Sequence, residues 1–198
     1  MFLPFELAGE FGPRVQTRLR RRETRVNASR RCGTYDAGVP VIEFETTIAA
    51  PLERVWAFYS DPVNALPALT PPNIEARIES ADMPVQVGSR VILQIRQMGR
   101  TMRWVAKIVE HRPPHAVAFG EEARFVDEQE SGPFARWRHE HDFERVDEKT
   151  TRMLDRVTYR VPLGPIGWIA DVVFVRRRLN EMFRYRHEQT KRLLDGTV

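Results

Sequence analysis

Cysteine is nearly absent: Cys32 is alone in 198 residues, which excludes an internal disulfide and, with no Cys/His cluster at finger spacing, a structural zinc knuckle. No run approaches the roughly 18 apolar residues of a membrane span, and the start lacks a charged segment followed by an apolar one, so a cytoplasmic location is expected. Glycine-rich phosphate loops, nucleophile elbows and protease signatures are missing, which argues against phosphoryl transfer and serine hydrolysis. Lysine is scarce too, at positions 107, 149 and 191, while arginine is abundant; the imbalance reads as a compositional bias and not as a binding motif.

What charge there is sits at one end. Formal net charge is +4, and residues 1–38 hold eight arginines against four acids, which accounts for all of it; the remainder has 23 basic and 23 acidic residues. Residues 1–38 therefore read as a basic extension that is poorly ordered, and 39–198 as one ligand-binding domain. A third reading, attachment to nucleic acid or another anionic surface by nonspecific charge attraction, is open to such a tail. Without aromatic interleaving it offers no stacking platform, so nucleic acid is not an expected partner. Asn27-Ala28-Ser29 fits a glycosylation sequon but carries no weight in a cytoplasmic chain.

From Val41 the apolar period becomes two, with Ile42, Phe44, Thr46 and Ile48 on one face. Pro51 then opens a short helix carrying Val55, Trp56, Phe58 and Tyr59, and Ser60-Asp61-Pro62 breaks it before a second short helix near 64–69, making a V-shaped pair. Strands follow in series at 74–79, 90–97, 102–108 and 115–121, the last with Val117 and Phe119 inward; 127–132 reads as a polar loop, and long strands return at 134–145 and 150–161. Short turns between strands of this length imply an antiparallel meander. After Pro162-Leu163-Gly164-Pro165 the period becomes helical to Leu194, with Ile169, Val172, Val173, Leu179, Met182, Phe183, Thr190 and Leu194 as its stripe. About 28 residues of helix span roughly 42 Å, enough to cross a sheet. The class is α+β: a curved antiparallel sheet of about seven strands, wrapped around a long C-terminal helix, with two short helices after the first strand.

That order, with Ile48-Ala49-Ala50-Pro51-Leu52-Glu53-Arg54-Val55-Trp56 leading into the V-shaped pair, resembles the START-related helix-grip superfamily (SRPBCC). The group includes birch-pollen-allergen-like proteins, polyketide cyclases/dehydrases and lipid or quinone carriers, and the resemblance covers residues 41–194. Within it, Gly132-Pro133-Phe134-Ala135-Arg136-Trp137-Arg138-His139-Glu140-His141, Asp155-Arg156-Val157-Thr158-Tyr159, Pro162-Leu163-Gly164 and Phe183-Arg184-Tyr185-Arg186-His187 look like a bacterial ligand-binding branch. The resemblance implies a cavity between sheet and helix for a small hydrophobic or amphipathic molecule, such as a lipid, quinone or polyketide-like compound. Its alternative is a cyclase/dehydrase-type enzyme. It transfers no catalytic motif residue by residue.

Candidate chemistry lies on the last two strands. Parity puts Trp137, His139, His141 and Phe143 on one face of the first, and Met153, Asp155, Val157 and Tyr159 on the matching face of the second. A turn centred near Glu148 pairs His141 with Asp155 and Trp137 with Tyr159; a one-pair slip would set His139 or Phe143 opposite Asp155 instead. A His141/Asp155 dyad beside Tyr159 is then a buried pair satisfying itself, a proton shuttle or a ligand-orienting group, and all three readings stand. Trp104, Phe119, Trp137, His139, His141, Asp155, Tyr159, Val173 and Phe183 are the expected ligand-lining residues. His139-x-His141 offers two metal ligands with only Asp155 in view as a third, so no metal and no cofactor are expected. His111 and His115 read as solvent-facing, His187 as half-buried packing at the stripe's edge, and Trp56 and Trp168 as further cavity candidates.

Overall fold

The structure is a computed structural model that describes residues 34–36, 39–97, 99–116 and 120–196. The rest of the basic extension, with Cys32 and the Asn27 sequon, lies outside the described residues, as do Val117 and Phe119. Among the described residues no helix is long and apolar enough to cross a membrane.

A three-residue strand, β1 (Thr34–Asp36), pairs with β2 (Val39–Ile48), so this piece of the N-terminal extension joins the sheet edge. Two short helices follow, α1 (Leu52–Tyr59) and α2 (Pro62–Leu69). Pro51 stands just ahead of α1, Ser60 closes it, and the Asp61 side chain accepts from the Asn64 amide to start α2. Then come β3 (Glu75–Ala81), β4 (Arg90–Gln97), β5 (Arg100–Arg112), β6 (Ala123–Ser131), β7 (Arg136–Asp147) and β8 (Thr150–Arg160). The order across the sheet is β1-β2-β8-β7-β6-β5-β4-β3, with every neighbour antiparallel. The seven strands from β2 to β8 form the expected curved sheet.

The chain corrects two expectations between β5 and β7. Of the strand expected at 115–121, the described residues His115 and Ala116 instead belong to a 3₁₀ turn at Pro114–Ala116, and Gly120 and Glu121 lie outside any strand. The strand is β6, which crosses the segment read as a polar loop. Its inward positions include Phe125, Asp127 and Gln129, so polar groups on both faces erase the alternation that marks a strand. Gln129 closes the turn into β7 by donating to the Phe134 carbonyl at 2.7 Å.

The terminal helix comes in three parts: α3 (Gly164–Ala170), a π-helical turn (Asp171–Val175) and α4 (Arg176–Leu194). Leu179, Phe183, His187, Thr190 and Leu194 are the buried face of α4, at intervals of three and four. Two apolar cores form beneath it. One gathers Ile48, Leu52, Trp56, Phe143, Met153 and Leu194; the other gathers Ile42, Trp137, Val157, Tyr159, Leu179 and Phe183. On β7 the first core holds Phe143 and the second Trp137, and on β8 they hold Met153 and Val157. The positions between them, His139, His141 and Asp155, make a polar seam between two apolar bodies.

Candidate functional site

Register assembles the seam. β7 pairs with β8 so that His141 faces Asp155 and Trp137 faces Tyr159, the pairing expected of a turn centred near Glu148. On the other side of β7, β6 sets Phe125 opposite His141 and Asp127 opposite His139. The two histidines, two residues apart on one face, bring their ring centroids to 3.7 Å. Each ring turns one nitrogen to either carboxylate. His141 Nδ1 is 2.8 Å and His139 Nε2 3.4 Å from Asp155 Oδ1, while His141 Nε2 and His139 Nδ1 are each 3.5 Å from Asp127 Oδ2. The contacts to Asp155 Oδ1 fall off the line of N–H donation, leaving it, His139 Nε2 and His141 Nδ1 as buried atoms without an aligned partner. The aligned bond to Asp155 comes from α4, where His187 Nε2 lies 2.9 Å from Oδ2.

Electrostatics divides the two histidines. Burial alone would push His141 down, but it faces Asp155 and Asp127 together and is raised to about 9. His139 moves the other way, pushed down by burial and by its neighbour His141. Burial works to raise both carboxyls, yet His141, His139 and His187 hold Asp155 well below its usual range, and His141, His139 and Arg186 hold Asp127 down. Arg186, half-buried on α4, is lowered by burial against the pull of Asp155, Tyr59 and Asp127. Its Nε has no hydrogen-bond partner among the described residues.

A cavity of about 170 Å³ reaches this cluster. Its wall is apolar, built by Leu93 and Ile95 of β4, Trp104 and Ala106 of β5, Leu69 of α2 and Met182 of α4; its other end is Asp127, His139, His141, Asp155 and Arg186. Trp104 and Trp137 meet edge to face at 5.0 Å on the boundary between the two. A larger hollow of about 440 Å³ lies beside Trp168, but its lining lacks the histidine cluster.

Five expected lining residues thus meet at one cavity: Trp104, Trp137, His139, His141 and Asp155. Phe183 is buried behind them, edge-on to His139 at 5.1 Å. Tyr159 is no member of the dyad. Its hydroxyl donates to Asp171 Oδ1 at 2.6 Å, and Asp171 also pairs with Arg176. Tyr159→Phe should therefore cost about 1–2 kcal/mol in urea unfolding and leave ligand uptake by the cavity unchanged. A loss of uptake larger than the loss of stability would return Tyr159 to the site.

Other residues also differ from expectation. Val173 is 72% exposed and Trp168 60%, so neither lines the cavity; Trp56 is packed in the core. His111 is half-buried, with one side against Trp56 at 5.2 Å, and His187 is buried and bonded, not half-buried. Sequence reading missed Asp127, hidden in an apparent loop, and Arg186. The available signals were the two-residue phase of Phe125-x-Asp127 and the four-residue step from Met182 to Arg186.

A model of the family described as "Polyketide cyclase / dehydrase and lipid transport" matches residues 48–185. Among solved structures, a protein from Thermus thermophilus superposes with a TM-score of 0.57 at 20% identity, covering 76% of this chain and 97% of that one. Norcoclaurine synthase from Thalictrum flavum gives 0.55 at 15% identity, over 77% of this chain and 84% of its own. The Zhui aromatase/cyclase from Streptomyces sp. R1128 gives 0.53 at 16%, over 79% and 97%. At these identities the likeness is one of fold. No curated protein matches the chain.

Proposed function

The chain belongs to the polyketide cyclase/dehydrase and lipid transport family, and from that membership we propose that it binds one small amphipathic molecule in the cavity between sheet and α4. The observation that carries this reading is the cavity's two-ended chemistry. An apolar wall of Leu93, Ile95, Trp104 and Ala106 takes the body of the ligand, and the His139/His141/Asp127/Arg186 end takes its polar group. The volume suits a compact ring system, since an apolar cavity of about 150 Å³ takes up benzene.

Filling the wall tests it. Ala106→Phe places a ring where the ligand's body would lie. Displacing some 50 Å² of apolar contact weakens binding by about tenfold at roughly 25 cal/mol per Å². The measurement is titration with an apolar fluorescent dye, read through quenching of the cavity tryptophans, beside native mass spectrometry of protein purified without denaturant. A dye that does not bind, or binds both forms equally, rejects the reading.

The same arrangement supports a second reading, an enzyme of the cyclase/dehydrase type, because the polar groups touch the space a substrate would fill. Asp127→Asn separates the two: a binding module loses part of its ligand affinity and has no turnover to lose, whereas an enzyme loses turnover by more than the loss of affinity accounts for.

A further inference from the structure

We propose that Asp127, His139 and His141 form a binding site for a divalent first-row transition metal ion at the polar end of the cavity. The three side chains offer ligand atoms that all lie within 4.8 Å of one another. His139 Nδ1 and His141 Nε2 stand at the same 3.5 Å from Asp127 Oδ2. That is too long for an N–H···O hydrogen bond, whose usual span is about 2.7–3.2 Å. It is close to the roughly 3.3 Å that separates donors around a tetrahedral ion with bonds of about 2.0–2.1 Å. Two imidazoles and one carboxylate, with the cavity side left open, are a donor set for zinc, iron, cobalt or manganese and not for calcium or magnesium.

The far side of the histidines fits the same reading. The nitrogens turned away from Asp127 point to Asp155, at 2.8 and 3.4 Å, and His187 anchors that carboxylate through its other oxygen. A carboxylate behind metal-bound imidazoles fixes their tautomers and raises their basicity. With both rings deprotonated, as metal ligation requires, Asp127 and Asp155 offset a divalent ion, and Arg186 remains beside it as one net positive charge. Arg186, whose Nε is unpartnered and which lines the same cavity, is left to meet a ligand oxygen held on the open side. This last step alone rests on the ligand-binding reading above. The sequence hid the site because Asp155 was the only third ligand in view; the structure makes Asp155 the supporting carboxylate and brings Asp127 in from β6.

The test uses the full chain stripped with a chelator and titrated with Co²⁺, followed by Zn²⁺ competition. One equivalent of Co²⁺ should develop visible ligand-field bands, without the thiolate charge-transfer band that coordination by Cys32 would bring. It should also shift the ring protons of His139 and His141 in the wild-type NMR spectrum. Asp127→Asn and His141→Gln should each weaken Co²⁺ binding by at least about a hundredfold, more than the 10–100-fold expected of Asp155→Asn behind the site. Absent bands, unshifted His139 and His141 protons, or affinity unchanged in the variants would overturn the site, the last by showing an adventitious ion elsewhere. The proton shifts need no variant, so a misfolded mutant does not blunt the test. Dye uptake measured in chelator keeps the two proposals apart: dye without metal rejects this one alone, and metal without dye rejects the other.

Discussion

Asp155→Ala is expected to lower the free energy of unfolding by about 3–5 kcal/mol in urea titrations of the metal-free chain, the cost of removing one partner from a buried charged cluster. Asp155 is 2% exposed and serves three imidazoles: His141 at 2.8 Å, His139 at 3.4 Å and His187 at 2.9 Å. Without it, His141 keeps only Asp127 as counter-charge and His187 loses its hydrogen bond. No apolar group fills the gap, because the seam lies between the two cores. Asp155→Asn retains the shape and an acceptor for His187 while removing the charge, so its cost should fall between alanine and wild type. The surface supplies the contrast. Arg152 and Glu144 also pair across β7 and β8, but both side chains are substantially exposed, and Arg152→Ala should cost under about 1 kcal/mol. An Asp155→Ala protein as stable as the Arg152 variant would mean that the cluster is not held by that carboxylate.

The strand half of the site was legible because parity and a tight turn leave little freedom. Once residues 134–145 and 150–161 are strands joined at Asp147-Glu148-Lys149, the register is fixed to within one pair, and the irregularity between Arg145 and Asp147 sets it: the pairing steps from Asp147 with Thr150 to Arg145 with Thr151, which brings His141 opposite Asp155. Asp127 was not legible by the same rule, since β6 carries Asp127 and Gln129 inward and Glu128 and Glu130 outward, a composition that turns and edge strands share. Nor was the wall from α2 and β4: which strands curl toward a helix depends on sheet curvature, which no local pattern encodes. The polar end of the cavity was thus half visible, and its apolar end came from the fold.

Phe183→Ala should cost about 3–5 kcal/mol, and Val173→Ala less than about 0.5 kcal/mol, although a regular helix would put both on one stripe. Phe183 is fully buried and stacks on Phe44 at 5.6 Å, meets His139 edge-on, and carries the Arg186 guanidinium 5.4 Å from its ring centre. Its loss opens a cavity directly behind the histidines, so dye and metal affinity should fall along with stability. Val173 stands ten residues earlier, inside the π-helical turn at Asp171–Val175. One extra residue in that turn rotates everything before it by about 100° relative to α4. Asp171 swings inward to meet Tyr159, and Ile169, Val172 and Val173 swing out to solvent. Urea unfolding of the two alanine variants reads this directly. Equal losses would show that the helix keeps a single phase through residue 171, returning Val173 to the sheet-facing stripe.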